Sequence, residues 1–197
     1  MEVPNLEHEP LIRRVLGANF LELKLVRLVV EELPEDGSLA KITVAEGADT
    51  NEVEGKGVGV VDAIYAGLLA RYASEYQSLK TIRLTNFHVH ADIETKKAQA
   101  GVDAVGRVTL DVTNSENKHF AFTDASRSVL MSTAKVVVEM VQYFVNAERA
   151  FLTLHNARRD AQARGREDLV SRYTKEMAEV VESTSYAEVI ENIKRTL

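Results

Sequence analysis

Hydrophobic and polar positions follow the same order of patterns twice along the chain. In the first half the predicted elements are strands at 20–30, 38–45 and 52–54 and a helix after Gly59. In the second half they are strands at 83–95, 105–113 and 118–122 and a helix from about Ser126. The two units are offset by roughly 65–70 residues, which indicates an internal duplication.

This order predicts an α+β fold of duplicated βββα units, with helices packed on antiparallel sheets, plus a C-terminal helical extension. The period of two in the strands, as at 87–94, is typical of sheets with one covered face. The first helix has one apolar stripe that would face a sheet. We expect a lead-in helix within 1–19, a duplicated region at 20–150 with repeats at 20–77 and 78–150, and the helical extension at 151–197.

The second helix is apolar over most of its circumference, so we expect cover on several sides, from the first helix and from a second subunit. Asp124 or Ser126 is its predicted N-cap. In the extension, apolar positions predict two amphipathic helices, at Met177, Val180 and Val181 and then at Tyr186, Val189, Ile190 and Ile193.

Composition narrows the function classes. The 197 residues contain no cysteine, which excludes disulfides and thiolate chemistry and fits a cytoplasmic protein. The net charge is −6 without a basic face in the repeats, so we expect no nucleic-acid partner. No apolar run reaches the ~20 residues that span a bilayer, and the acidic N-terminus lacks the basic start of a secretory signal, so no membrane association is predicted.

A glycine-rich segment at 55–63 leads into the first helix. Free N–H groups and the helix dipole at such a place bind anions, which suggests a pocket for a small carboxylate. The dinucleotide fingerprint fails because Val60 stands where a third glycine is needed, and the P-loop fails because Lys56 is not followed by Ser or Thr. The alternative is a tight strand-to-helix turn that needs glycine for conformational freedom.

His88, His90 and Asp92 share one face of a predicted strand. They could form a metal trio with a catalytic activity, but spaced histidines on an exposed strand are more often part of a polar outer face. No Gly-x-Ser-x-Gly or His-Glu-x-x-His motif occurs. We therefore assign no catalytic residue, metal or cofactor.

Four segments resemble a known family. Gly-Val-Gly-Val-Val-Asp-Ala at 57–63 resembles the Gly-x-Gly-Pro-Val-Asp-Ala motif of the C-terminal allosteric (dimerisation) domain of 2-isopropylmalate synthase and citramalate synthase. Residues 84–91 and 102–109 are similar to the strand and hairpin that open its second repeat, and 126–134 match its second helix start loosely. The resemblance covers about 20–148.

The resemblance implies a homodimer linked to branched-chain amino-acid biosynthesis, with a feedback effector such as leucine or isoleucine near the two helix N-termini. The residues that it points to are Gly57, Gly59, Val60, Asp62 and Ala63 in the first unit and Ser126, Ser128 and Ser132 in the second. Val60 replaces the family's proline and Ser128 its acidic residue, which favours the alternative of an interaction module that has lost its ligand.

The synthases carry a catalytic barrel ahead of this domain, with an Arg-Asp-Gly-x-Gln strand that nothing in this chain matches. We therefore expect a free-standing, non-catalytic regulatory protein or the detached regulatory part of a synthase. A separate synthase subunit would be a possible partner.

Overall fold

The computed structural model describes residues 6–91 and 105–182, and within them the βββα unit occurs twice. Each unit is a three-stranded antiparallel sheet followed by a helix, which confirms the α+β fold class. The elements are α1 (Glu9–Leu16), β1 (Leu23–Leu33), β2 (Gly37–Glu46), β3 (Asp49–Gly57), α2 (Val60–Tyr72), β4 (Arg83–Ala91), β5 (Gly106–Thr113), β6 (His119–Ser126), α3 (Val129–Ala163) and α4 (Glu167–Glu182), with 3₁₀ turns at Gly17–Asn19 and Gln77–Thr81.

Both sheets are meanders, in the orders β1-β2-β3 and β4-β5-β6. The first strand of each sheet carries a register shift against the middle strand. The shift falls between Leu25 and Arg27 in β1 and between Leu84 and Asn86 in β4. An irregularity of the same kind in the same strand of both sheets supports the duplication.

Strand β3 is longer than the sequence predicts. Its mostly polar side chains suggested a short strand at 52–54, but nine residues pair with β2. The ladder forms because its hydrogen bonds come from the backbone, while Val53 and Gly55 face the core. Gly55 and Gly57 are therefore strand residues rather than members of a loop.

Within each sheet, the middle strand contributes the most deeply buried apolar side chains. These are Ala40, Ile42 and Val44 in β2 and Val108, Leu110 and Val112 in β5. Helix α2 packs on β2 and β3, whereas α3 packs on β5, β6 and β1 and so touches both sheets. Between β6 and α3, the rings of Phe120, Phe122, Tyr143 and Phe144 lie with centroids between 5.2 and 6.2 Å apart.

Helix α3 begins at Val129, because Ser128 is its N-cap and the Ser128 Oγ accepts a hydrogen bond from the Met131 N–H at 3.2 Å. The predicted N-caps, Asp124 and Ser126, are wrong, since both residues belong to β6. The helix continues without a break through residues 151–163.

The cover of α3 comes from the same chain. Helices α1, α2 and α4 pack on it together with strands of both sheets. The expected cover by the first helix is confirmed, and additional cover from a second subunit stays a prediction. Its strongly exposed large apolar side chains are Val129 and Leu130, in the first turn. No helix within the described residues, α3 included, is long and apolar enough to cross a membrane.

Two polar side chains of α3 fix the chain where β1 begins. Asn146 accepts from the backbone N–H of Leu21 and donates to the Leu21 carbonyl, both at 2.8 Å. The Gln142 side-chain oxygen accepts from the Leu23 N–H at 2.7 Å. These bonds satisfy backbone groups that would otherwise be buried unpaired, and they tie the first repeat to the helix of the second.

A buried carboxylate on α3 holds the linker between the repeats. Glu148 is 3% exposed and accepts from the backbone N–H of Ser78 at 3.0 Å and from its hydroxyl at 2.6 Å. Burial raises the pKa of Glu148, and the hydrogen bonds from Ser78 and from the backbone of Gln77 offset that rise only in part.

Helix α4 packs on α3 and α1. Its buried Glu176 accepts from Arg14 of α1 at 2.9 Å and from Arg172 at 3.0 Å. Met177, Val180 and Val181 contact the core, as their spacing predicts. The second predicted helix of the extension, at Tyr186, Val189, Ile190 and Ile193, lies outside the described residues.

We predict that Glu148→Gln raises the melting temperature at neutral pH and that this gain shrinks in acid. The amide oxygen still accepts from Ser78, while the buried charge is removed. Because the folded-state pKa of Glu148 is raised, the wild type has its full stability below the unfolded pKa and loses stability as the pH rises through the folded pKa.

Circular dichroism melts at about pH 8 and about pH 5 check this prediction. Glu148→Ala is the control, because it leaves Ser78 without an acceptor and should cost about 1–3 kcal/mol. An equal difference between Glu148→Gln and wild type at both pH values would contradict the argument.

Candidate functional site

The strand-to-helix junctions of the two units occupy equivalent places. Residues 57–59 connect β3 to α2, and 126–128 connect β6 to α3; we name these segments, each with the first helical turn that follows, junction 1 and junction 2. Their equivalent residues stand 69 positions apart, as Gly57 and Ser126, Gly59 and Ser128, and Ala63 and Ser132. All eight residues that the sequence selected lie at these two junctions.

In junction 1, Gly57 has a packing reason to be glycine. A Cβ atom there would lie 2.6 Å from the Cβ of Asp62 and would also meet the backbone of Ala63. The same seam continues to Gly55, where a Cβ would meet the Ala63 carbonyl and lie 2.9 Å from the Cα of Gly67. Helix α2 therefore lies directly against β3 because the facing residues are small.

Packing does not require a glycine at position 59. Its φ of −147° and ψ of 177° are open to any residue, and a Cβ there would meet nothing within 4 Å. It is the N-cap of α2 and makes no side-chain cap, and the first bond from the helix runs from the Ala63 N–H to the Gly59 carbonyl at 2.9 Å. The first-turn N–H groups of α2 thus have no side-chain cap, and the space beside the Gly59 Cα is open.

Junction 2 is closed by its own side chains. The Ser132 hydroxyl donates to Asp124 at 2.6 Å and lies 2.8 Å from the Ser126 hydroxyl. The Ser126 hydroxyl donates to the Ser128 carbonyl at 2.9 Å, and Ser128 caps α3. Where junction 1 has glycine and alanine, junction 2 has hydroxyl groups that satisfy one another.

The structure groups the selected residues by unit. Ser126, Ser128 and Ser132 are joined by hydrogen bonds, whereas within the described residues no hydrogen bond connects them to junction 1. Two of the selected residues, Ala63 and Ser132, are fully buried. At least partly accessible are Gly57, Gly59, Val60, Asp62, Ser126 and Ser128.

Sequence reasoning missed Asp124 and Lys135 as site residues. The Lys135 ammonium lies 3.7 Å from the Asp124 carboxylate, and both line a groove of about 390 Å³ between β1 and α3. Glu139 lines it too, and burial, then the charges of Glu9 and Asp124, raise the pKa of that carboxyl. The sequence could have indicated Asp124, because this carboxylate occupies the position that is equivalent to Gly55 in the first unit.

The face of β4 that carries His88 and His90 forms no metal site within the described residues. His88 lies 3.6 Å from Asp111, both partly exposed, and no group of three potential ligands occurs among the residues that the structure describes. Asp92, the third member of the suggested trio, lies outside the described residues.

The model of the LeuA allosteric (dimerisation) domain family matches residues 2–145, which is most of the chain and includes both junctions. The chain belongs to this family. A comparison with curated proteins finds no match. Membership of the LeuA allosteric domain family supports a regulatory role linked to leucine biosynthesis and agrees with the duplicated architecture.

We predict that the same substitution has opposite consequences at two glycines of this LeuA-type domain. Gly57→Ser should destabilise the protein by about 1–3 kcal/mol, because its Cβ would enter the first turn of α2. Gly59→Ser should be neutral or stabilising by a few tenths of a kcal/mol, because it adds the cap that Ser128 provides in the second unit. Urea unfolding measures both, and equal losses would refute the packing account.

Proposed function

We propose that this domain binds a branched-chain amino acid, with leucine or isoleucine as the effector, at the open N-terminus of α2. The observation that supports this proposal best is Gly59. Neither its dihedral angles nor its neighbours in the chain require a glycine, so its missing side chain leaves room for something outside the chain. A bound effector needs that room.

The chemistry of junction 1 suits an amino acid. The N–H groups of residues 60–62 and the positive end of the helix dipole would bind the effector carboxylate. The exposed carboxylate of Asp62, in the first turn, would accept its ammonium group. Val58 is 92% exposed and, with Val60, offers apolar contact to a branched side chain. A zwitterion with an aliphatic side chain satisfies all three features.

Junction 2 would contribute less directly. Ser126 and Ser128 remain accessible, but Ser132 is fully buried beneath them and holds Asp124 in place. Its proposed role is therefore to position the other hydroxyls. The groove beside Asp124 and Lys135 leaves space for polar ligand groups of either charge.

We further propose that the domain dimerises through an apolar patch formed by Phe87, Val89, Val105, Val129 and Leu130. Each of these side chains is between 39% and 51% exposed. Phe87 pairs with Leu110 and Val89 with Val108, so both point to the same face as the buried core residues of β5. Helix α3 covers that face over β5 and β6 and leaves the edge strand β4 open. A second copy would cover it symmetrically.

Binding at junction 1 would regulate a synthase by favouring one arrangement of such a dimer. The catalytic domain could belong to the same polypeptide or to a separate synthase subunit. In either case the domain itself carries no proposed catalytic residue.

An interaction module without a ligand is the second candidate. The serines of junction 2 favour it, because they are engaged with one another and with Asp124 and Met131. Under this reading the protein dimerises but does not respond to amino acids.

We predict that Gly59→Trp abolishes the response to leucine without unfolding the protein. Leucine at ~100 times its dissociation constant should stabilise the wild type by about 2.7 kcal/mol, or about 5–10 °C. The indole would fill the space before α2. Gly59→Ser should weaken binding less, and Glu52→Trp, on the outer side of β3, should leave it unchanged.

Thermal-shift titration with leucine, isoleucine and valine measures this. If Gly59→Trp still binds leucine, the effector does not bind at junction 1. No shift in the wild type, with a stable dimer, would favour the interaction module.

We predict that Val89→Glu shifts the dimer to monomer, because the charge would be buried against the partner's apolar surface. Val29→Glu is the matched control. Val29 is 40% exposed, but it lies on β1 opposite Lys41, away from the patch. Analytical ultracentrifugation at several concentrations reads the outcome, and a dimer that survives Val89→Glu would place the interface elsewhere.

A further inference from the structure

A second cavity lies at the other end of the domain from the junctions. It has a volume of about 580 Å³ and lies between the segment after α1, the β2–β3 turn and α3. Glu46, in its wall, accepts a hydrogen bond from Tyr72 at the C-terminal end of α2. At 1.5 Å per residue, Gly59 is therefore about 20 Å away along α2, and Arg149 lies about 30 Å along α3 from Val129.

The charged side chains of this cavity are paired except for one. The Arg13 Nε donates to Glu9 at 2.8 Å, and its Nη1 lies 4.0 Å from Glu22. Glu46 accepts from Asn51 at 2.9 Å and lies 3.6 Å from Arg71.

Arg149 is half-buried in the wall of the cavity. Within the described residues its guanidinium group forms no salt bridge and no hydrogen bond, whereas the other charges of the wall have partners. The positive charge of Arg149 acts on the neutral Tyr76 side chain, where it opposes the rise in the pKa of that hydroxyl. The guanidinium group of Arg149 is thus left for a ligand.

The other residues of the cavity wall favour a carboxylate over a phosphate. The guanidinium of Arg13 stacks over Phe20, 4.0 Å from the ring centroid, and makes one flat side. Gly47, in the β2–β3 turn, adds a part of the wall that carries no side chain. Glu22 and Glu46 would repel a phosphate with two negative charges, whereas a carboxylate carries one and its apolar body can lie on Phe20.

We propose that this cavity binds a small organic carboxylate through Arg149, as a second ligand site separate from junction 1. A guanidinium group presents two parallel N–H donors that match the two oxygens of a carboxylate. The site does not use the N-terminus of α2 or α3, so a test of it does not depend on whether the proposed effector site exists.

The test is a titration of the full chain with 3-methylbutanoate, followed by NMR at the amide of Gly47. We expect saturable binding to the wild type, at least tenfold weaker binding to Arg149→Gln, and an intermediate affinity for Arg149→Lys. Arg159→Gln is the matched control, because Arg159 is an exposed arginine on the same helix outside the cavity. It should bind like the wild type.

Two further titrations, one with Gly59→Trp and one with inorganic phosphate, distinguish this cavity from the effector site and a carboxylate from a phosphate. Gly59→Trp should keep 3-methylbutanoate binding whether or not it loses leucine, so failure of the effector site does not affect this result. The proposal is overturned if the wild type does not bind 3-methylbutanoate, if Arg149→Gln binds it as well as the wild type, or if Gly59→Trp loses it. Equal binding of inorganic phosphate at the same amides would overturn the assignment to carboxylates.

Discussion

Burial of α3 is the constraint on which the rest of the structure depends. The helix belongs to the second repeat, yet its side chains contact both sheets and three other helices. Its polar residues Asn146 and Glu148 hold the start of β1 and the linker between the repeats. The first repeat could not cover its sheet alone, because the cover of β1 comes from the helix of the second repeat. The duplicated units therefore form one cooperative body rather than two adjoining domains.

The two junctions show what duplication followed by divergence does to a site. In the first unit, glycines let α2 lie against β3 and leave the helix start uncapped. In the second unit, Asp124 replaces the equivalent Gly55, and its carboxylate requires a donor, which Ser132 supplies. The hydroxyls complete the network and cap α3. The same backbone plan thus gives one helix N-terminus that is closed by side chains and one that is not, which is why we propose that the effector carboxylate binds at the first unit.

The sequence was sufficient for what depends on periodicity, and it failed where backbone or tertiary contacts decide. The alternation in β5 and the apolar run in α3 predicted the sheets, the helix and the fold class. The length of β3 was missed because ladder hydrogen bonds do not require apolar side chains. The N-cap was missed because Asp124, Ser126 and Ser128 are all acceptable caps, and only the end of β6 decides among them. The role of Glu148 and the proposed role of Arg149 depend on residues far away in the chain.

Val129 connects junction 2, the less direct part of the proposed effector site, to the proposed dimer interface. It follows the N-cap Ser128, belongs to the apolar patch, and packs so closely that a Cβ on Gly106 would lie 2.7 Å from its Cγ2. A ligand that orders this turn and a second copy that covers it would act on the same few atoms. By linkage, the factor by which dimerisation raises ligand affinity equals the factor by which ligand strengthens the dimer. A ligand with equal contacts in the monomer and the dimer would bind without regulating anything, so regulation through this turn requires its conformation to differ between the two states.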